Sequence, residues 1–257
     1  MNIMSRFFCK EYEYPPVGMF SLGHILILIL FLIIVAFSCY QCRKLKEETI
    51  LKMTRIIAIV VTCLEIGKII IQHINGEGAL IDHWIPLYFC SMFIYATYMA
   101  GFGKGIIRDL GKAFIGTGGI MAGLSFLLFP TTSFTMYPLF HYFCLYSMIY
   151  HSLMVFLGIT YLLNGVEKIE KKSFIDYIIF CTFFCVIAII VNAIWDTNFM
   201  FLKRAGNIPI RLVAKIEEFS PVLFTIGMYI VCVFGTYFLI WLVCLIVNQI
   251  KKKKSVA

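Results

Sequence analysis

The second long apolar run of the sequence carries a row of charged and polar side chains. Glu65, Lys68 and Gln72 occupy positions i, i+3 and i+7 of this run, and the next residue is His73. On a helix this spacing places the first three on one face. An ionisable side chain in hydrocarbon costs about 2.5–3.5 kcal/mol, so such residues usually face a bundle interior or a watery cavity. The Glu65 and Lys68 pair is therefore either part of a substrate site or a self-neutralising pair that fixes helix packing.

Further polar residues capable of chemistry lie in the other apolar runs. They are His83 and Cys90 in the third run, His141 and His151 in the fifth, and Asn192 and Asn198 at the end of the sixth. Imidazoles act as bases or hydrogen-bonding groups, and asparagine both donates and accepts. A single histidine in this setting is more often a packing residue than a catalyst, so the meaning of these residues depends on where the fold brings them together.

The composition determines which elements position these side chains. Of the 257 residues, 61% are hydrophobic and 14% are charged, whereas soluble domains carry about 25% charged residues. The charges gather between apolar runs of about 18 to 28 residues, which are long enough for helices to span a hydrocarbon core of about 30 Å. No run alternates as a transmembrane strand would. We therefore predict an all-α, polytopic transmembrane helix bundle in the cell membrane.

Seven runs are predicted as spans of a single integral membrane domain, residues 1–257. They cover residues 20–40, 56–74, 84–101, 113–129, 136–163, 174–195 and 222–247. The fourth run contains Gly116, Gly118, Gly119 and Gly123. Small residues at this spacing let helix backbones approach closely, so we expect the fourth helix at the centre of the bundle.

Basic residues are distributed unequally between the two ends of the predicted bundle. Fifteen fall on one side: Arg43, Lys44, Lys46, Lys52, Arg55, Lys104, Arg108, Lys112, Lys168, Lys171, Lys172 and Lys251 to Lys254. Six fall on the other: Arg6, Lys10, Lys203, Arg204, Arg211 and Lys215. The positive-inside rule therefore predicts an external segment 1–19, a bundle at 20–249 and a basic cytoplasmic tail at 250–257. The connection 196–219 is then external, as an interfacial element on the outer leaflet or as an ordinary loop.

This orientation gives nearly all of the polar residues one location. They fall in the outer half of the membrane or at its outer surface, where they are placed to converge on one outward-facing polar cavity. The basic residues flank the apolar runs and form no stripe with interleaved aromatics, so we expect no nucleic-acid partner. Cys39 and Cys42 form a single C-x-x-C pair without nearby histidines. We expect neither a metal site nor a cofactor.

Several short strings resemble the YwaF-like family of bacterial integral membrane proteins. They are Phe20–His24 in the first run, Trp84–Cys90 in the third, Phe129–Pro130 after the glycine-rich run, Tyr150–Leu153 in the fifth, and Asp196–Leu202 followed by Pro209. The resemblance extends over nearly the whole chain, and Pro-Leu-x-x-Cys and Asn-Phe-Met-Phe-Leu are its most specific strings. That family is similar to eukaryotic TMEM-type membrane proteins implicated in acyl transfer to ether phospholipids, in which a cysteine is thought to carry the acyl group.

The resemblance implies acyl transfer from a membrane phospholipid through Cys90. A thiol nucleophile needs a base to take its proton and donors to hold the oxyanion. For these roles we expect His151 or His83 as the base, and Asn192 or Asn198 as the donor.

Two other function classes remain open at this point. In a small-solute transporter or substrate-capture component, the charged pair and the histidines would bind a polar solute or relay protons near the midplane. In a membrane sensor or assembly protein without chemistry, the same side chains would serve only helix packing. For acyl transfer and for transport alike, the predicted substrate-binding residues are Glu65, Lys68, Gln72, His141, Asn192 and Asn198.

Overall fold

The computed structural model describes residues 3–76, 81–206 and 211–256, and their regular structure is helical without strands. The helices are α1 Ile3–Phe7, α2 Leu22–Cys42, α3 Glu47–Ile74, α4 Met92–Phe102, α5 Ile106–Leu128, α6 Tyr142–Leu163, α7 Lys171–Trp195, α8 Arg211–Phe219 and α9, which runs from Pro221–Ile230 through a π-helical turn at Val231–Gly235 into Thr236–Val256. The predicted all-α class is confirmed. Pro209 and the side chains of the Lys251–Lys254 tail lie outside the described part of the chain.

Within the described residues, five helices are both long enough and apolar enough to span a membrane. By length and composition, α2, α5, α6, α7 and α9 can each cross a bilayer. Helix α3 is also long, with 28 residues, but its first turns are charged. Helix α4 is apolar and has only 11 residues. The protein is a multi-pass membrane protein, and the seven spans and their orientation stay predictions.

The third predicted helix begins later than expected. We predicted a helix from Trp84, whereas α4 begins at Met92. Pro86 explains the difference, since it lacks a backbone N–H and keeps Ile85 out of the helical region. The chain from Trp84 to Ser91 turns instead, with the Leu87 N–H donating to the Ile85 carbonyl at 2.9 Å. As a result Cys90 precedes α4 rather than lying inside it.

The centre of the bundle is built from α4, α5 and α6, which pack closely because glycines lie at their contacts. A Cβ at Gly111 of α5 would lie 2.5 Å from the Ala96 carbonyl of α4, and one at Gly123 would lie 2.8 Å from the His151 carbonyl of α6. Both approaches are closer than any side chain permits. Helices α5 and α6 are mostly buried, whereas α2 and α9 are mostly exposed. The expected central position of the glycine-rich helix agrees with this packing.

The segment before α2 is fastened to the ends of α3 and α6. The Cys9 carbonyl accepts from the Asn75 amide at 3.2 Å and from His141 Nε2 at 3.1 Å. Further along, the Val17 N–H donates to the Tyr137 carbonyl at 3.0 Å. The N-terminal segment therefore packs on the turns at residues 130–141, at the end of the bundle that we predict to be external.

Candidate functional site

The charged pair of α3 is buried against α6. Glu65 is 3% exposed and forms an ion pair with Lys68, one turn further along the helix. The Tyr146 hydroxyl of α6 donates a hydrogen bond to the other Glu65 carboxylate oxygen. Two donors on one buried carboxylate offset the cost of removing it from water. The predicted Glu65 and Lys68 face therefore points into the bundle.

Three tyrosines form a row on α6 opposite this pair. Tyr142, Tyr146 and Tyr150 follow at i, i+4 and i+8, so they share one face. Neighbouring rings lie 6.1 Å and 5.5 Å apart between centroids. The Tyr142 hydroxyl donates to the Leu64 carbonyl of α3 at 2.8 Å, where Gly67 leaves room for it. This row joins α6 to α3 through hydroxyl groups.

Cys90 lies at the end of the tyrosine row. The Tyr150 hydroxyl donates to the Cys90 carbonyl at 3.3 Å. The Cys90 thiol lies within the electrostatic range of the Glu65 and Lys68 charges. The residue is partly exposed. The structure thus brings together three of the predicted site residues, Glu65, Lys68 and Cys90.

His151 lies next to Tyr150 with one ring nitrogen unused. Its Nδ1 lies 2.8 Å from the Ser147 carbonyl, which only accepts, so Nδ1 carries the proton. The ring stacks on Phe126 of α5 at 3.9 Å and meets the Tyr150 ring edge-on at 5.3 Å. Within the described residues, the buried Nε2 has no hydrogen-bond partner. An imidazole in this tautomer is a proton acceptor at Nε2.

Two further predicted residues lie at the same end of the bundle. Gln72 follows Lys68 by one turn of α3, and its buried Oε1 has no partner in the part of the chain that the structure describes. His83 ends the short 3₁₀ turn Ile81–His83, where it is partly buried. The neighbouring Asp82 accepts from the Tyr88 hydroxyl at 3.4 Å.

The remaining predicted residues have their polar atoms engaged elsewhere. His141 begins α6: its Nδ1 accepts from the Phe143 N–H at 3.1 Å, and its Nε2 donates to the Cys9 carbonyl. Asn192 accepts from the Phe199 N–H at 2.7 Å and donates to the carbonyl of the same residue at 3.1 Å. Asn198 accepts from the Arg204 N–H at 2.9 Å. These side chains shape turns in the structure.

The turn that both asparagines shape carries a charged cluster. Asp196, in the left-handed region at φ 55°, forms ion pairs with Arg204 and with Lys203, the latter at 2.7 Å. The Arg204 and Lys203 side chains hold the pKa of the Asp196 carboxyl well below its usual range. The Phe199 ring of the same turn contacts the Tyr88 ring, with 5.1 Å between centroids. The turn therefore packs on the segment that leads to Cys90.

The sequence did not lead us to predict the tyrosine row, because we considered only charged, histidine, cysteine and amide side chains. Its signal was present in the sequence, since Tyr142, Tyr146 and Tyr150 recur at intervals of four in the fifth apolar run. Such spacing marks one helix face. A hydroxyl row on a face opposite a buried carboxylate indicates hydrogen bonding between the two helices.

The site extends over α3, α6 and the segment before α4, all of which fall within the match to a known family. The model of the TMEM164 family matches residues 19–247 of the chain. No curated protein and no solved structure matches it. With nearly the whole chain covered, this multi-pass membrane protein belongs to the TMEM164 family.

Proposed function

We propose that this protein is a phospholipid acyltransferase of the cell membrane that uses Cys90 as its nucleophile. The observation that carries the proposal is the position of Cys90, partly exposed, beside the buried Glu65 and Lys68 pair and at the end of a tyrosine row. The resemblance to YwaF-like and TMEM-type proteins supports the same chemistry. The positive charge of Lys68 near the thiol favours the thiolate, which is the nucleophilic form.

In this proposal each neighbour of Cys90 has a defined role. The Lys68 ammonium attracts the phosphate of the lipid, and Glu65 and Tyr146 fix its position. Tyr150 holds the backbone of Cys90 through its carbonyl. We assign the role of base to His151, because its buried Nε2 has no hydrogen-bond partner among the described residues and its ring contacts that of Tyr150.

The proposed reaction has two balanced steps. The Cys90 thiol loses its proton to His151, and the sulfur attacks the ester carbonyl of the donor lipid. The carbon–oxygen bond of the ester breaks, and the leaving lysophospholipid oxygen takes the proton from His151. In the second step the hydroxyl of an acceptor lipid attacks the thioester, again with His151 as base, and the thiol is restored.

The test is acyl labelling of the purified protein. After incubation with phospholipid carrying a labelled acyl chain, we expect a protein adduct that hydroxylamine removes, because a thioester is sensitive to it. Cys90→Ser should abolish the adduct. The matched control is Cys63→Ser, which removes an exposed thiol two residues from Glu65 and should leave labelling intact.

Two results would contradict the acyl-enzyme mechanism. One is the absence of label from the wild-type protein under conditions in which it remains folded. The other is label of equal amount in Cys90→Ser. Either outcome favours a binding or transport role for the Glu65 and Lys68 pair.

A further inference from the structure

Two cavities meet at the beginning of α7, at the end of the bundle that we predict to be cytoplasmic. A polar cavity of about 150 Å³ lies between α5, the connection 164–170 and the first turns of α7. An apolar groove of about 480 Å³ lies between α7 and α9 and is lined mainly by Phe174, Phe234, Tyr237, Phe238 and Trp241. Glu170 borders both spaces. A polar and an apolar space that share a wall suit an amphiphilic ligand.

The polar cavity contains more acidic than basic side chains. Its carboxylates are Asp109, Glu167, Glu170 and Asp176, and its lysines are Lys112, Lys168 and Lys172. Lys172 is committed to two of the carboxylates, Asp109 at 2.6 Å and Asp176 at 2.9 Å. Lys112 forms an ion pair with Glu47 of α3, which is not part of the lining. The cavity is therefore complementary to a cation rather than to an anion.

Two groups in this cavity are placed to accept hydrogen bonds from a ligand. Among the residues that the structure describes, Glu167 forms no ion pair; it is faced by Lys112 from α5 and by Lys172 and Asp176 from α7, and burial raises its pKa to about 7. Ser173 is 4% exposed, and its hydroxyl lies beside Glu167 without a partner at hydrogen-bonding geometry. A carboxylate and an unpaired hydroxyl accept hydrogen bonds from a primary ammonium group. A quaternary ammonium has no N–H to offer them.

The lining of the apolar groove indicates the chemistry of the remaining part of the ligand. Its aromatic side chains lie on helices that face the lipid phase, and Trp241 and Phe238 are exposed there. In a bilayer the abundant apolar occupant of such a groove is an acyl chain. The groove opens beside Lys171, whose ammonium is placed to contact a phosphate.

We propose that this pair of cavities is a binding site for a phospholipid with a primary amine in its headgroup, which enters the cavity of Glu167 and Ser173 while one acyl chain lies along the aromatic groove. The site is separate from the Cys90 cluster, and its existence does not depend on acyl transfer. The lipid that occupies it comes from the membrane leaflet that surrounds α7 and α9 at the end of the bundle predicted to be cytoplasmic.

Trp241 provides a reporter inside the groove. The three tryptophans of the chain are Trp84, Trp195 and Trp241. A protein with Trp84→Phe and Trp195→Phe retains Trp241 alone and is reconstituted into phosphatidylcholine bilayers. Equal mole fractions of brominated phosphatidylethanolamine, phosphatidylcholine or phosphatidylglycerol are then compared as quenchers of its fluorescence, since bromine quenches only on close approach.

The expected result is a headgroup preference at Trp241. Brominated phosphatidylethanolamine should show a relative binding constant about threefold to fivefold that of phosphatidylcholine, the size of one partly exposed ion pair. Glu167→Gln should bring this ratio to about one by removing the charge. Glu48→Gln, an exposed carboxylate outside the cavity, should leave the ratio unchanged. A protein that retains only Trp195, which lies at the other end of α7, should show no preference.

Equal quenching by all three headgroups would reduce the groove to ordinary lipid contact and overturn the proposal. Stronger quenching by phosphatidylglycerol would overturn it as well, because an anionic lipid would then be the occupant. The ratio of the binding constants for phosphatidylethanolamine and phosphatidylcholine, measured with the cavity residues unchanged, is sufficient to test the proposal. Because it is measured on Trp241, it stands whether or not Cys90 is acylated.

Discussion

Glu65 is buried and Glu167 is partly buried, at opposite ends of the bundle, and their surroundings differ. Glu65 accepts from Lys68 and from Tyr146, so its charge is fully partnered. Glu167 has charged neighbours but no ion pair within the described residues, and burial raises its pKa to about 7. The comparison teaches that the partners around a carboxylate, and not burial alone, decide how the fold accommodates it.

The two carboxylates also differ in the role that their surroundings suit. A partnered carboxylate holds two helices in a fixed relation and orients the residues that neighbour it. A partly buried carboxylate without a cationic partner costs free energy, which a ligand with a matching ammonium recovers when it binds. We therefore expect the same substitution, glutamate to glutamine, to act in opposite directions at the two ends.

The largest effect is expected at the partnered carboxylate. Glu65→Gln leaves the Lys68 ammonium without its counter-ion and should lower the free energy of unfolding by about 3 kcal/mol. The double change Glu65→Gln with Lys68→Met should cost clearly less, because no charge is left unpaired. Denaturant titration in detergent micelles measures both. Equal losses in the single and double variants would show that the pair does not act as a unit, and the comparison would fail.

A smaller effect tests the tyrosine row. Tyr146→Phe removes a hydrogen bond to a charged acceptor and should cost about 1.5 kcal/mol, whereas Tyr142→Phe removes one to a neutral carbonyl and should cost about 0.5–1 kcal/mol. The two substitutions delete the same hydroxyl from neighbouring turns of α6. Melting temperatures under one set of conditions rank them. The reverse order would mean that Tyr146 does not support the Glu65 charge.

An effect of the opposite sign is expected at the other end of the bundle. The pKa of Glu167 is raised in the folded protein, so the stability associated with its protonated form is present at low pH and is lost as the pH rises towards about 7. Glu167→Gln should therefore stabilise the protein by about 1 kcal/mol at pH 8, and the gain should vanish near pH 4.5.

The measurement at the Glu167 end is the pH dependence of the free energy of unfolding, in detergent free of amine-bearing lipid. Glu48→Gln is the matched control, because Glu48 is exposed and its pKa is lowered by Lys52. That variant should not gain stability as the pH rises. If Glu167→Gln instead lowered the stability at pH 8, the Glu167 carboxylate would have a stabilising partner, and it would not differ from Glu65 in this respect.

Much of the fold follows from hydropathy, which is a local property. The first span was predicted at 20–40 and α2 runs from Leu22 to Cys42, because this stretch of 21 residues is almost wholly apolar. The start of α3 was predicted too late, at 56 rather than at Glu47, since its first turns are charged and hydropathy does not register them. The start of the third helix was displaced by Pro86, a local signal that the hydropathy pattern masked.

The candidate site was predictable only where it depends on helical spacing. Glu65 and Lys68 lie three residues apart, so their pairing follows from the period of the helix. The contact between Glu65 and Tyr146 joins residues 81 apart in the chain and depends on how α3 packs on α6. From the sequence, Asn192 and Asn198 were predicted to donate hydrogen bonds to a substrate. In the structure their side chains accept from backbone N–H groups of one turn, which only the tertiary structure reveals.

The short separation of Glu65 and Lys68 also has a consequence for how the protein is made. Synthesis proceeds from the N-terminus, so α3 meets the translocation machinery long before Tyr146 has been assembled. A lone carboxylate would be costly to insert at that moment. Because its counter-ion lies on the next turn of the same helix, the span that we predict within α3 can enter the bilayer as an electrically neutral unit. The tyrosine hydroxyl then joins an ion pair that already exists.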